Sequence, residues 1–192
     1  MQIDLNGIMV QLNGESGEIA SAVQQALIAN GATITTSAAT TVADILIMLL
    51  PLLPHDGLNL APVLHAARSA AEAMQNRGSG RIIFVLSAVA GMPMRRHGDY
   101  SVQMAGALAE MRTLAMQCGP AVLVNAVGVG AIGEPLLAGE AAMLGHASVK
   151  RAGTIVEVVD TVLFFCDPDN TYTTGQMLSV DGGWSAGYGR SF

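Results

Sequence analysis

Three short, largely apolar runs, Asp44 to Leu50, Arg81 to Leu86 and Ala121 to Val127, alternate with longer stretches of helical spacing. No other feature constrains the fold as much. A run of this length with no polar alternation is the pattern of a strand buried on both faces, as in a parallel sheet covered by helices. Ahead of these runs, Ile8 to Leu12 reads as a strand entering the turn Asn13-Gly14-Glu15-Ser16-Gly17. Ile19, Val23, Ala26 and Leu27 then repeat at helical spacing up to the stop signal Asn30-Gly31, and Thr33 to Thr36 makes a short second strand. Leu60, Val63, Leu64, Ala67, Ala71 and Met74 form a helical stripe that tolerates Pro62 in its first turn and stops at Gly78-Ser79-Gly80. A second stripe, Met104, Leu108, Met111 and Ala115, runs from about Tyr100 to Gly119-Pro120. Thr154-Ile155-Val156-Glu157 is a capping box that opens an apolar helix through Phe165, and Gln176 to Val180 closes the sheet before Asp181-Gly182-Gly183. Strands alternating with helices predict a doubly wound α/β sheet, and the length fits one domain over residues 1–192.

A charged fraction of 12% and a formal net charge of −6 leave few cations to neutralise phosphates, which argues against nucleic-acid binding. Cys118 and Cys166 are read as buried thiols in a reducing cytoplasm. The N-terminus carries no basic segment leading into an apolar stretch, so no export is signalled and a cytoplasmic protein is expected. The longest apolar run, Ile45 to Leu53, is broken by Pro51 and is far short of the ~20 residues of a membrane helix. His55, His65 and His146 lack metal-ligand spacing, and no metal site is expected.

Asn59-Leu60, Gly80-Arg81-Ile82, Ser87 standing 13 positions before Tyr100, Val124-Asn125-Ala126-Val127, and Thr174-Gly175-Gln176 through Val180-Asp181-Gly182-Gly183-Trp184 follow one another in a particular order. In that order they resemble the motifs of the short-chain dehydrogenases/reductases over nearly the whole chain. The resemblance implies a Rossmann-like fold and assigns Asn59, Ser87 and Tyr100 to the family's catalytic positions. There the tyrosine is the acid/base, the serine holds the substrate oxygen, and a lysine four residues after the tyrosine lowers the phenol pKa and binds the nicotinamide ribose.

Here that lysine is Met104, and the chain's one lysine is Lys150. A thioether supplies no charge, so Tyr100 is expected to stay protonated at neutral pH, against a free phenol pKa of ~10. Met104 itself fits an apolar helical stripe. The family's T-G-x-x-x-G-x-G loop falls on Asn13-Gly14-Glu15-Ser16-Gly17-Glu18-Ile19-Ala20, which keeps only its first glycine and puts Glu18 at the second. A carboxylate ~4 Å from a phosphate costs about 4 kcal/mol at an effective dielectric of 20. Glu18 is also at home in the first turn of a helix, where it offsets the macrodipole. No acid follows the second strand, and Met48-Leu49-Leu50-Pro51 stands where the family has Asn-Asn-Ala-Gly. The chain is short between Ser37 and Asp44, where a helix, strand and helix of the adenine side are expected to be lost.

The catalytic set Asn59, Ser87 and Tyr100 is thus read as vestigial, and the loop of Gly14, Gly17, Glu18 and Ala20 as unable to hold a dinucleotide. The two long helices, about Asn59 to Arg77 and Tyr100 to Gln117, resemble the pair through which the family forms a four-helix bundle between subunits. The last helix and strand resemble its second contact. The resemblance implies a non-catalytic structural or regulatory subunit, without cofactor, paired in a heterodimer or heterotetramer with an active paralogue that carries NAD. Such a pairing resembles the two-component dehydrogenase for 2-(hydroxy(phenyl)methyl)succinyl-CoA in aromatic hydrocarbon degradation, in which an inactive family member accompanies an active one. The tail from Trp184 to Phe192, with Tyr188, reads either as reaching a neighbour's pocket or as a packed or frayed terminus. Arg95, Arg96 and His97 read either as a substrate-facing basic cluster or as solvated loop charges. Two other readings stay open: a cofactor-independent, dehalogenase-like elimination using Ser87 and Tyr100, and a small-molecule sensor with Asn59, Ser87 and Tyr100 as ligand contacts.

Overall fold

Each central strand puts alternate apolar side chains into two separate layers, which is why its sequence shows no polar alternation. In the computed structural model, which describes residues 1–35, 42–55, 57–133 and 144–187, the chain forms a parallel six-stranded sheet with helices on both faces. In chain order the elements are β1 (Met9–Gly14), α1 (Glu18–Ala29), β2 (Thr33–Thr35), β3 (Ile45–Leu49), α2 (Ala61–Arg77) and β4 (Gly80–Ser87). A 3₁₀ turn (Ala88–Ala90), α3 (Gly98–Cys118), β5 (Val122–Val129), α4 (Ile155–Cys166) and β6 (Met177–Val180) follow. The strand order is β2-β1-β3-β4-β5-β6, with every pair parallel.

Leu46 and Met48 of β3 and Ile82, Phe84 and Leu86 of β4 join α2 and α3 in one apolar layer. Ile45, Ile47 and Leu49, with Ile83 and Val85, join α1 and α4 in the other. Cys118 lies in the first layer and Cys166 in the second; both are free buried thiols, and burial pushes Cys166 up to about 12.

Local signals place the helix ends. α2 stops at Gly78 in the left-handed conformation, φ 89°. The Thr154 hydroxyl accepts from the Glu157 amide at 3.3 Å, while the Glu157 carboxylate accepts from the Thr154 amide at 2.7 Å, completing the capping box. Asn125 stitches β5 to the approach of β6, donating to Thr173 O and accepting from the Gln176 amide.

Two boundaries differ from the sequence reading for reasons of tertiary pairing. β1 runs on through Gly14, because Asn13 and Gly14 pair with Met48 and Leu49. Gly14 has φ +112°, and a Cβ there would lie 2.0 Å from the Leu49 carbonyl oxygen, so the strand pair closes only on glycine. β3 begins at Ile45 rather than Asp44, whose amide and carboxylate both bond the Met9 main chain of β1; of the expected β2, Thr33–Thr35 lie within the described residues. The missing segment expected between Ser37 and Asp44 falls largely on residues 36–41, outside the described residues. Within the described sheet, β2 forms the rim on that side, where a 3-2-1-4-5-6 sheet carries one more strand.

Among the described residues, no helix is long and apolar enough to cross a membrane, and no group of His, Cys, Asp and Glu is placed to hold a metal ion.

Candidate functional site

In an open parallel sheet, ligands bind beyond the carboxyl ends of the strands, where successive connections leave towards opposite faces. β1 leads into α1 on one face and β3 into α2 on the other. Between their ends lies a cavity of about 440 Å³. One wall is the β1–α1 turn with the start of α1, from Glu15 to Ala20; the other is the exit of β3, from Leu49 to His55. Val85, Ile132, Gly133 and Ile155 complete the lining.

Gly17, Glu18 and Ala20 of the β1–α1 loop all face this cavity, and Gly14 sits at its root in the β1–β3 pair. Glu18 is the first residue of α1, whose N-cap, Gly17, supplies no side-chain hydrogen bond. Its charge therefore stands at the positive end of the helix dipole. Where the family sequence is polar, Leu49, Leu50 and Pro51 line the cleft and Met48 is buried in the α2/α3 layer.

Tyr100 and Ser87 do not line the cavity. Tyr100 is buried at the start of α3, and its hydroxyl donates to the Pro51 carbonyl oxygen at 2.9 Å. Burial pushes the phenol up to about 12, with the Ser87 hydroxyl acting in the opposite sense. The Ser87 oxygen accepts from the Val89 amide at 3.3 Å. Met104, one turn beyond Tyr100, is 0% exposed within the α2/α3 layer, as its place in the apolar stripe indicated. Asn59 does not join this pair by any hydrogen bond among the described residues; its side chain is turned back onto the Ala61 amide at 3.0 Å, at the start of α2. Arg95, Arg96 and His97 are exposed and away from the cleft lining. Trp184 packs against the α2/α3 layer, while Tyr188 and Phe192 lie outside the described residues. His55 is on the cleft wall; His65 and His146 are elsewhere.

Sequence reasoning missed Glu15, the Pro51 carbonyl and the far wall of Ile132 and Ile155. The Pro51/Pro54 pair signalled an extended exit from β3, but nothing local marked Pro51 as the tyrosine's acceptor.

Outside the cleft, α2 and α3 are clasped together. Arg68 holds the Glu110 carboxylate with both ends of its guanidinium, the longer contact at 2.7 Å, and Gln103 bonds the Leu58 and Leu60 main chain. The outer face of α3 leaves Val102 and Met116 at 72% and 78% exposure, on one side of the helix.

The family described as enoyl-(acyl carrier protein) reductase matches residues 57–185, two-thirds of the chain, including Ser87, Tyr100 and Met104. This chain belongs to the short-chain dehydrogenase/reductase family. The short-chain reductase protein NovJ of Streptomyces niveus is 31% identical over 66% of this chain and 53% of its own length. The 3-oxoacyl-[acyl-carrier-protein] reductase MabA of Mycobacterium tuberculosis is 29% identical over 68% of this chain and 55% of its own. The chain thus spans about half the length of the curated relatives it matches. Among solved structures, a short-chain dehydrogenase from Leptospira borgpetersenii with bound NAD+ superposes with TM-score 0.78 at 18% identity, over 95% of this chain and 94% of that one. The ligand-free aldohexose dehydrogenase of Thermoplasma acidophilum gives 0.77 at 16% identity, over 98% of both chains. These likenesses establish the fold. Residues 1–56, which build β1, α1, β2 and β3, lie outside the family match.

Proposed function

We propose that this chain is a non-catalytic subunit that pairs with an active short-chain dehydrogenase/reductase, and that NAD is carried by the partner. One observation carries the reading. The position four residues after Tyr100 is a fully buried methionine, and Tyr100, with its phenol pushed up to about 12, spends its hydroxyl on a main-chain carbonyl. A general acid/base works best with a pKa near the operating pH, and among the described residues no charged group acts on Tyr100 to bring it there.

The residues of the cleft do not fit a dinucleotide. A pyrophosphate binds at a helix N-terminus that glycine leaves open to its backbone amides; here Glu15 and Glu18 occupy that edge, and the described lining residues include no arginine or lysine. Leu50 and Pro51 make the opposite wall apolar. The family match, over residues 57–185, also stops short of this edge. The exposed apolar side of α3 and the clasped α2–α3 pair supply a surface for a related subunit.

For the complex, the substrate class we propose is a hydroxyacyl thioester, with the 2-(hydroxy(phenyl)methyl)succinyl-CoA type as the specific candidate. MabA, a 3-oxoacyl-[acyl-carrier-protein] reductase, supports the class. Elimination by Ser87 and Tyr100 gains no support, since neither lines the cavity. The test is to purify this chain alone and co-expressed with an intact family member encoded beside it, then follow nicotinamide reduction. Activity and co-purification of the pair, with none from this chain alone, are expected; turnover by this chain alone refutes the reading.

A further inference from the structure

The cavity at the β1/β3 switch persists although its residues do not suit a nucleotide, and its volume of about 440 Å³ lies in the range of small-molecule sites. Its walls are largely apolar: Leu50, Leu52 and Pro54 on one side, Ile132 and Ile155 on the other. The polar edge carries Glu15 and Glu18, which form no ion pair among the described residues. Among the described lining residues an anionic ligand meets two carboxylates and, as basic groups, the His55 imidazole alone, whereas a cationic one meets opposite charge at the rim of an apolar chamber. The Tyr100 hydroxyl is engaged by the Pro51 carbonyl, and neither it nor Ser87 is part of the lining.

We propose that this cleft binds a small molecule with an apolar body and one cationic end, an amine rather than a nucleotide, and holds it without converting it. The proposal rests on the reading that this chain does not take NAD.

Calorimetry with three probes of one shape, 3-phenylpropylamine, 3-phenylpropanol and 3-phenylpropionate, tests it, with NAD titrated in parallel. The amine is expected to bind about fivefold tighter than the alcohol, the most that one exposed ion pair supplies, and the acid about fivefold weaker. The double variant Glu15→Gln/Glu18→Gln should bring the three within about twofold, since only the charge preference is removed. Leu52→Trp, which fills the chamber, should lose all three. Equal binding of acid and amine, retention of binding in Leu52→Trp, or no saturation by any probe in the millimolar range overturns the proposal. Uptake of NAD overturns it together with the functional reading above; failure of the amine without NAD uptake overturns this proposal alone.

Discussion

Restoring the family's lysine should damage this protein rather than revive it. Met104 is 0% exposed among the apolar residues shared by α2, α3 and the sheet. In Met104→Lys the ammonium must lie in that layer, and burial lowers a lysine pKa from its ordinary ~10.4, to as low as ~6 in fully buried cases. Holding the amine neutral at pH 7 costs about 1.4 kcal/mol for each of roughly three units, hence about 4 to 5 kcal/mol. Domains of this size have only about 5–15 kcal/mol in hand. The sign follows from linkage. Below pH ~10.4 the unfolded variant binds a proton that the folded one does not, so its deficit relative to the parent shrinks as pH rises, by about 1.4 kcal/mol per unit. Urea unfolding of parent and variant at pH 7, 8 and 9 measures this convergence, and nicotinamide reduction by the variant alone should stay at background. A deficit under about 1 kcal/mol that does not change with pH, or new turnover, would show that side chain 104 reaches the cleft and refute the reasoning.

Tyr100→Phe leaves the Pro51 carbonyl without its donor and should lower stability by about 1–2 kcal/mol in chemical unfolding. In spectrophotometric titration Tyr100 should ionise well above the ordinary phenol range, at about 12. Because the folded state keeps the Tyr100 proton longer, stability should fall as pH rises from 10 towards 12, and the phenylalanine variant should lack that contribution. Gly14→Ala drives a methyl group into the Leu49 carbonyl at a positive φ and should lose about 3 kcal/mol or more; an unchanged melting temperature would contradict the β1–β3 pairing. Thr154→Ala should lose about 1 kcal/mol with the capping box. Arg151 and the Thr154 amide hold the Glu157 carboxyl down to about 2, so stability present above pH 4.5 should be lost as pH falls towards 2, and Glu157→Gln should flatten that acid limb.

Features whose cause is local were legible in the sequence. β3, β4 and β5 announced themselves because burial on both faces leaves uninterrupted apolar runs, and the Thr154/Glu157 box needs only its own four residues. Met104 was readable as core because its stripe repeats at helical spacing. What stayed hidden depends on distant partners. β1 extends to Gly14 because β3 lies beside it, and Tyr100 is held by a carbonyl 49 positions away in sequence. Glu18 was legible as the first turn of a helix, but Glu15 beside it and the Ile132/Ile155 wall became part of the cleft only when β5 and α4 brought that wall round. Asn59 shows the converse: its spacing to Ser87 agrees with the family pattern, yet its side chain serves the first turn of its own helix.

At its β6 side the described sheet ends on a stub of four residues. So little open main chain gives a foreign strand almost nothing to zip onto, which is one of the ways natural proteins suppress fibril growth. Contact with another chain at that edge is therefore left to side chains rather than to strand pairing.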